Sequence, residues 1–263
     1  MMRLPLAERT AARLLVLPEC ASTNAELRGR AADEAAWPHL SVLLTDTQTS
    51  GRGRLDRTWS TPARTALAVS VLLRDLPADA DAWGWIPLAA GVAMTDAVAA
   101  QLTGHEVGLK WPNDVLVDGR KICGILAEVA GGAVIVGTGI NTTMTVEQLP
   151  VPTATSFAAL GAEVDADRLL ADYLTGLQRG IRSLGTDALH AEATERCLTL
   201  GRAVTVSLPG GSILTGTAVR LAADGRLVVD DGAGLHEVAA GDVVHVRPVW
   251  DPSQRRCSRT VGG

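Results

Sequence analysis

Short apolar runs of strand length recur along the first half of the chain, and each one ends at polar or turn residues. Runs at 14–17, 40–45 and 66–73 predict three strands. Pro18 follows the first run directly, so we expect that run to be an edge strand, because proline cannot donate to a ladder of hydrogen bonds.

The most regular strand pattern lies in the middle of the chain. Apolar and β-branched residues at 107–111 and 115–117 predict two strands that are interrupted at Pro112. The turn dipeptide at 118–119 leads into a third strand at 122–129. This arrangement predicts a hairpin in which the polar residues beside Pro112 occupy a bend and face a cavity.

Helical patterns flank these strands. Residues 83–102 are apolar nearly all round, with Pro87 in the first turn, which predicts a helix buried against a sheet. Thr23 and Glu26 have capping-box spacing for a helix that runs to about Asp33. Leucines at helical spacing predict two further helices, at 166–184 and 187–200.

The pattern changes to short strands and glycine-rich turns after residue 203. Four strands are predicted there, at 204–208, 216–221, 226–230 and 243–247. Short strands at this spacing indicate a small β-barrel or sandwich of about fifty residues, which follows a longer part that mixes strands and helices. The polar tail at 249–263 is predicted to be disordered.

Composition and charge narrow the functional classes. The net charge of −5 and pI near 5.5 argue against a general nucleic-acid or membrane binder, because such proteins usually carry a basic excess. No uncharged run approaches the length that spans a bilayer, and the N-terminus resembles no signal peptide, so we expect a cytoplasmic protein.

The cysteines and histidines show neither metal-site nor catalytic spacing. No CxxC pair is present, and the four cysteines are expected to be reduced thiols. Cys123 lies in an apolar stretch and is interpreted as a core residue rather than a nucleophile.

Lysine is the first candidate for chemistry, because it is so rare in this chain. Of 24 basic residues only Lys110 and Lys121 are lysines, and both belong to the central hairpin. An ammonium is a compact point charge on a flexible stem, which suits a carboxylate or phosphate that moves during a reaction. Chance clustering in an arginine-rich composition is the alternative.

A glycine–arginine loop at 46–59 is the second candidate. Glycines alternate with Arg52 and Arg54, so the backbone can approach a ligand closely while forked guanidinium groups hold phosphate oxygens. A solvated arginine loop is an equal alternative. The pattern matches neither the P-loop nor the dinucleotide fingerprint, and its composition predicts mobility until a ligand pairs the cations.

A glycine-rich segment at 137–141 is the third candidate. It follows a buried strand predicted at 133–136, and its glycines would allow a flat or phosphorylated ligand to approach the backbone. Asn141 offers both a donor and an acceptor, as an adenine edge requires. An ordinary turn-rich loop is the even alternative.

Taken together and in order, these motifs resemble the catalytic domain of biotin protein ligases. The matching residues are Ser22-Thr23-Asn24, Gln48, Gly51-Arg52-Gly53-Arg54, Trp59, Lys110-Trp111-Pro112-Asn113-Asp114, Lys121, Gly124-Ile125-Leu126, Glu128 and Gly137-Thr138-Gly139-Ile140-Asn141. The resemblance covers roughly 14–200 and implies an α+β protein with two domains. These would be a class II synthetase-like catalytic domain over 1–200, with a mixed sheet flanked by helices, and a small SH3-like β-barrel over 203–248. Such ligases convert biotin and ATP into biotinyl-5′-adenylate and pass biotin to one lysine of a carboxylase carrier domain.

The resemblance also implies roles for individual residues. Biotin would be bound by Ser22, Thr23, Asn24, Gln48, Arg52, Lys121 and Gly124. ATP and the adenylate would be bound by Arg52, Arg54, Trp59, Lys110, Asn113, Lys121 and Asn141. The catalytic set would be Lys121, Arg52, Arg54, Lys110 and Asp114, with Asp114 as a magnesium ligand.

The chain departs from the family pattern at two places. Leu55 and Asp56 follow the GRGR motif where many members continue with further Arg, Lys or Gly, which leaves the details of loop closure open. Only about twenty residues precede Ser22, too few for an N-terminal helix-turn-helix domain, so we expect a short ligase that does not bind specific DNA.

Two alternatives remain at this point. A lipoate or octanoyl ligase or transferase shares the fold, and a non-catalytic biotin-binding regulator would share the pocket. The expected partners are biotin, MgATP and a biotin carboxyl carrier protein, and the expected state is a monomer or weak homodimer without membrane association.

Overall fold

A seven-stranded mixed sheet forms the centre of the fold in the computed structural model, which describes residues 2–54, 57–208, 211–239 and 242–245. The predicted disordered tail and the Leu55-Asp56 departure lie outside these residues. In chain order, the first nine strands are β1 (Arg13–Val16), β2 (Ser41–Thr45), β3 (Gly51–Arg52), β4 (Thr58–Trp59), β5 (Ala66–Leu73), β6 (Val107–Lys110), β7 (Asp114–Val117), β8 (Arg120–Ala130) and β9 (Ala133–Asn141). The order across the sheet is β1-β2-β5-β9-β8-β7-β6, and β3 and β4 form a separate pair.

Helices cover both faces of this sheet. They are α1 (Pro5–Thr10), α2 (Thr23–Arg30), α3 (Ile86–Ala99), α4 (Ala166–Arg182) and α5 (Asp187–Arg196), with 3-10 turns at Ala80–Trp85, Val146–Gln148 and Ala158–Leu160. Successive residues of a strand point to opposite faces. Val136 of β9 therefore packs in the core that contains α3 and α4, whereas Ile135 packs in a smaller cluster with Leu27 of α2.

The predicted elements are largely present, with corrections at their ends. The apolar segment 83–102 is a 3-10 turn followed by α3, which is buried on nearly all sides and has Pro87 in its first turn, as predicted. Among the described residues, no helix is both long and apolar enough to cross a membrane. Helix α2 ends at Arg30 rather than Asp33, and its N-cap is Ser22, whose Oγ accepts from Ala25 N at 3.5 Å. The Thr23–Glu26 capping-box prediction was therefore wrong by one residue.

A five-stranded antiparallel sheet follows α5. Its strands are β10 (Ala203–Ser207), β11 (Ile213–Leu221), β12 (Leu227–Asp230), β13 (Leu235–Val238) and β14 (Asp242–His245), in the order β13-β12-β11-β10-β14. Strand β13 was not predicted, because three of its four residues are exposed and no apolar pattern marks it. Residues 246–247 of the predicted last strand lie outside the described part of the chain.

The two sheets are tied together by tryptophans. Trp85 Nε1 donates to Ala223 O at 2.8 Å, and Trp111 Nε1 donates to Gly225 O at 3.0 Å. One hydrophobic core cluster includes residues of both sheets. The turn at 223–225 is therefore held close to the bend of the β6–β7 hairpin, and the boundary between the domains at 200–203 stays a prediction.

Candidate active site

A small cavity of about 190 Å³ lies where four parts of the chain meet. These are the start of α2, the loop that carries β3 and β4, the β7–β8 hairpin, and β9. The predicted site residues that line it are Ser22, Thr23, Asn24, Gln48, Arg52, Arg54, Trp59, Asn113, Asp114, Lys121 and Gly124. The fold thus brings together residues that lie about a hundred positions apart in the chain.

Two glycines of β9 make room for this cavity. The glycine-rich segment at 137–141 is part of β9, which extends beyond the strand predicted at 133–136, so the alternative of an ordinary turn-rich loop was wrong. A Cβ at Gly137 would overlap Asn24 Oδ1, and a Cβ at Gly139 would lie 2.7 Å from the Trp59 ring. The glycines are needed on this strand face because Asn24 and Trp59 approach the backbone there.

Lys121 lies at the hairpin side of the cavity. Its Nζ is 2.6 Å from Asp114 Oδ1, and a Cβ at Gly124 would be only 2.9 Å from that Nζ. The backbone of Lys121 is held on both sides, since its N–H donates to Thr153 O at 2.7 Å and its O accepts from Thr155 N at 2.8 Å. Lys121 therefore has a fixed backbone and a side chain that is 42% exposed toward the cavity.

The other end of the cavity carries uncharged polar groups. Gln48 Oε1 accepts from Thr23 N at 2.8 Å and from Thr23 Oγ1 at 3.2 Å. Asn24 is buried, with its Oδ1 accepting from Ser70 Oγ at 2.6 Å and its Nδ2 donating to Glu128 Oε2 at 2.7 Å. Both polar atoms of the Asn24 amide are therefore hydrogen-bonded within the protein. We expect Asn24 to determine the shape of the pocket rather than to donate hydrogen bonds to a ligand.

The arginines of the loop are paired with the opposite wall. Arg52 Nη2 lies 3.3 Å from Glu128 Oε1, and Arg54 Nη1 donates to Asn113 Oδ1 at 3.1 Å. Asn113 Nδ2 in turn donates to Ile125 O at 2.7 Å, which fixes the orientation of its amide. Burial raises the pKa of Glu128, but the hydrogen bonds from Asn24 and Arg28 and the charges of Arg28 and Arg52 outweigh burial, and its net pKa is lowered. The lowered pKa favours the ionised form of Glu128, whose negative charge attracts the guanidinium group of Arg52 in the loop.

Two predicted site residues lie elsewhere. Asn141 is buried and its Nδ2 donates to Thr155 O at 2.9 Å. Lys110 is half-buried at the end of β6, and neither residue is among those that line the small cavity or its larger neighbour. The contacts of Asn141 and Lys110 with ATP therefore stay predictions.

The larger neighbouring cavity, about 1010 Å³, opens beside the first. Arg52, Arg54 and Asn113 line both cavities. The outer wall is formed by Asp224-Gly225-Arg226 of the C-terminal sheet and by Asp81. Sequence reasoning missed this wall, because a turn dipeptide such as 224–225 gives no sign of a site.

Cys123 was predicted to be a core residue and Asp114 a magnesium ligand. Cys123 is 1% exposed, and burial raises its thiol pKa far above the ordinary value, so it is a core residue as predicted. Within the described residues, no group of three His, Cys, Asp or Glu side chains is placed to hold a metal ion, and the Asp114 carboxylate is paired with Lys121. Magnesium is commonly bound by one or two carboxylates together with substrate phosphates and waters, so the assignment of Asp114 as its ligand stays a prediction.

Comparisons with known proteins match both parts of the chain. A model of the Biotin/lipoate A/B protein ligase family matches residues 20–144, and one of the Biotin protein ligase C terminal domain matches residues 199–246. The chain is 43% identical over 237 residues to the Biotin--[acetyl-CoA-carboxylase] ligase of Mycobacterium tuberculosis, with 88% of each chain covered. It is 29% identical to the ligase of that name from Paracoccus denitrificans, over 84% of this chain and 96% of that one. Its fold is similar to that of the biotin protein ligase from Aquifex aeolicus in complex with biotin and ATP, with a TM-score of 0.74 and 26% identity over 90% of this chain and 99% of the other.

Proposed function

Because the chain belongs to the biotin/lipoate A/B protein ligase family, we infer that its activity is the ATP-dependent attachment of biotin to a lysine of a carrier domain. One observation carries the assignment to this site. Lys121, Arg52 and Arg54 line the same small cavity as the polar Gln48–Thr23 pair. The same cavity can therefore supply cations to a carboxylate and a triphosphate, and hydrogen-bonding groups to an uncharged polar head group.

The first half-reaction joins two anions. An oxygen of the biotin carboxylate forms a bond to the α-phosphorus, the bond to the β-phosphate oxygen breaks, and pyrophosphate leaves. Fixed cations lower the barrier to such a reaction by stabilising charge at the transferring phosphoryl group. Lys121 Nζ, 2.6 Å from Asp114, is proposed to leave that carboxylate and to bind the biotin carboxylate and α-phosphate together.

The second half-reaction needs no nucleophile from this chain. The neutral amine of the acceptor lysine attacks the carbonyl carbon of the mixed anhydride, AMP leaves, and the amide loses a proton. The acceptor is proposed to approach through the larger cavity, because that cavity is wide and shares Arg52, Arg54 and Asn113 with the first. Trp59 is proposed to stack on the adenine ring, because its ring lies against Gly139 at the edge of the small cavity.

The polar end of the small cavity favours biotin over lipoate. A ureido ring has N–H donors and a carbonyl acceptor, whereas a dithiolane ring has neither. Ser22, Thr23 and Gln48 offer hydroxyl and amide groups that suit the ureido ring and that an acyl chain would leave unpaired. We therefore propose a biotin ligase whose acceptor is the carrier protein of an acyl-CoA carboxylase, working in the cytoplasm as a monomer or weak homodimer without specific DNA binding.

Incubation of the protein with MgATP, biotin and a purified carrier domain tests the function. We expect a mass increase of one biotinyl group on one lysine of the acceptor, and none when ATP is left out. Replacement of biotin by lipoate provides the matched control for substrate class. Acceptor modification by lipoate and not by biotin would reverse the assignment, and biotin binding without transfer would favour a regulator.

A further inference from the structure

Glu128 lies at the meeting point of three elements. It belongs to β8, and its Oε1 is 2.9 Å from Nη2 of Arg28 on α2 and 3.3 Å from Nη2 of Arg52 in the loop. Its Oε2 accepts from Asn24 Nδ2 at 2.7 Å, and Asn24 is the residue that rests on Gly137. One carboxylate thus connects the loop, the start of α2 and the sheet.

Glu128 and Arg52 differ in how far their side chains are exposed and in which cavity they line. The side chain of Glu128 is only 19% exposed, whereas that of Arg52 is 48% exposed. Glu128 lines the larger cavity but not the small one, so it does not reach the proposed biotin site itself. Any effect of Glu128 on biotin must therefore pass through Arg52 and Asn24, which do line that site.

We propose that Glu128 is a positioning residue that holds Arg52 at the mouth of the small cavity before substrate binds. A guanidinium that starts beside the site loses less freedom when the ligand arrives, so pre-positioning strengthens binding. The same carboxylate keeps the Asn24 amide turned so that its oxygen faces Ser70 and its nitrogen faces Glu128. This proposal rests on the proposed function for its kinetic part, but the position of the loop can be measured without any substrate.

Trypsin digestion of the ligand-free protein tests the position of the loop directly. Glu128→Gln keeps the size of the side chain and an oxygen for Asn24, but it removes the charge that faces both arginines. We expect cleavage after Arg52 and Arg54 to become about fivefold faster, in line with the loss of one partly exposed ion pair. Glu26→Gln is the matched control, because Glu26 pairs with Arg30 on α2 and lines neither of the two cavities that the described loop residues line.

Steady-state kinetics of pyrophosphate release test the consequence for biotin. We expect Glu128→Gln to raise KM for biotin about fivefold and to change kcat less than twofold, because Lys121 is untouched. Glu128→Asp should recover part of the loss, since it restores the charge on a shorter side chain. The melting temperature should lie within about 2–4 °C of that of Glu26→Gln, as expected for a loss near 1 kcal/mol.

Two results would overturn the proposal. One is that Glu128→Gln and Glu26→Gln behave alike in both the trypsin and the kinetic assays. The other is a large fall in melting temperature together with equal losses for biotin and ATP, which would show a general structural role. If the wild-type protein transfers no biotin at all, the proposed function fails, while the trypsin comparison still decides whether Glu128 holds the loop.

Discussion

The hairpin that carries Lys121 and the loop that carries Arg52 supply charge to the same cavity in different ways. The hairpin belongs to a ladder of three antiparallel strands, and Val115 and Ile122 within it are fully buried. The loop consists of two strands of two residues each, and its arginines reach the opposite wall through ion pairs and amide contacts. The position of Lys121 is therefore set by the core, and that of Arg52 by surface electrostatics.

This difference has an energetic basis. Burial of a large apolar side chain contributes roughly 1.5–3 kcal/mol, whereas an exposed ion pair contributes about 0–1 kcal/mol. We therefore expect the hairpin to keep its geometry when a substrate binds, and the loop to gain contacts when an anion binds beside its arginines. Variants of the hairpin and of the loop should consequently differ in whether they lower the reaction rate, the stability or the affinity for a ligand.

Lys121→Ala should show the largest effect. Loss of the ammonium should slow adenylate formation by about 10²–10³-fold, the size found when one group that stabilises developing charge is removed. The melting temperature should hardly change, because the side chain is 42% exposed. Pyrophosphate release should be measured beside Arg120→Ala, a neighbouring cation that lines neither cavity. A normal rate in the Lys121 variant would refute the role assigned to it.

Gly137→Ala should cost stability, because the new methyl group meets a side chain that cannot move. Asn24 is held there by Ser70 and Glu128, so we expect a loss of about 1–3 kcal/mol in the free energy of unfolding, as in other overpacked cores.

Gly139→Ala is the comparison variant. Its new methyl group would meet the Trp59 ring, which belongs to the loop and can move aside at lower cost. Chemical denaturation measures both, with Gly132→Ala as control, since a Cβ there meets nothing within 4 Å. Equal losses at Gly137 and Gly139 would show that the two walls are equally rigid.

Trp59→Ala should weaken the nucleotide more than biotin. Loss of stacking on a base costs roughly 1–3 kcal/mol, so we expect ATP or adenylate affinity to fall about tenfold or more. Titration calorimetry with biotin alone provides the comparison within the same variant. Equal losses for the two ligands would indicate that the loop has collapsed, and they would contradict a specific role in stacking.

The smallest expected effect is a dependence of stability on pH that arises at His245, where the C-terminal sheet contacts the bend of the hairpin. Thr199 Oγ1 accepts from Trp111 N at 3.0 Å and lies 3.1 Å from His245 Nε2. Burial, with repulsion from Lys110 and Arg202, lowers the pKa of His245 to about 4. The unfolded state therefore binds the proton more readily, and stability present above pH 6.5 is lost as the pH falls toward 4.

Melting curves between pH 7.5 and pH 5 test this dependence. We expect the decline to be shallower in His245→Gln, which removes the titrating group. The difference should not exceed about 1 kcal/mol, or roughly 2–4 °C, because the imidazole is only partly buried. Parallel curves for the two proteins would exclude His245 as the source.

Local sequence was enough to predict the regular elements and the residues with unusual chemistry. Strand β5 was predicted with its observed bounds, and the central hairpin was predicted nearly so, because apolar runs and turn dipeptides act over a few residues. The two lysines and the alternating Gly-Arg loop were visible as motifs, and the resemblance they carry was confirmed by the family match.

Only the tertiary structure decided which groups face one another. The Asn24–Glu128 and Arg52–Glu128 contacts join residues 104 and 76 positions apart, and they depend on how β8 and β9 pair and on where α2 packs. The same pairing placed 137–141 within a strand and brought Asn141 Nδ2 within hydrogen-bond distance of Thr155 O. A local pattern specifies an element and its buried face, but the partner of a polar side chain is determined by the register and packing of distant elements.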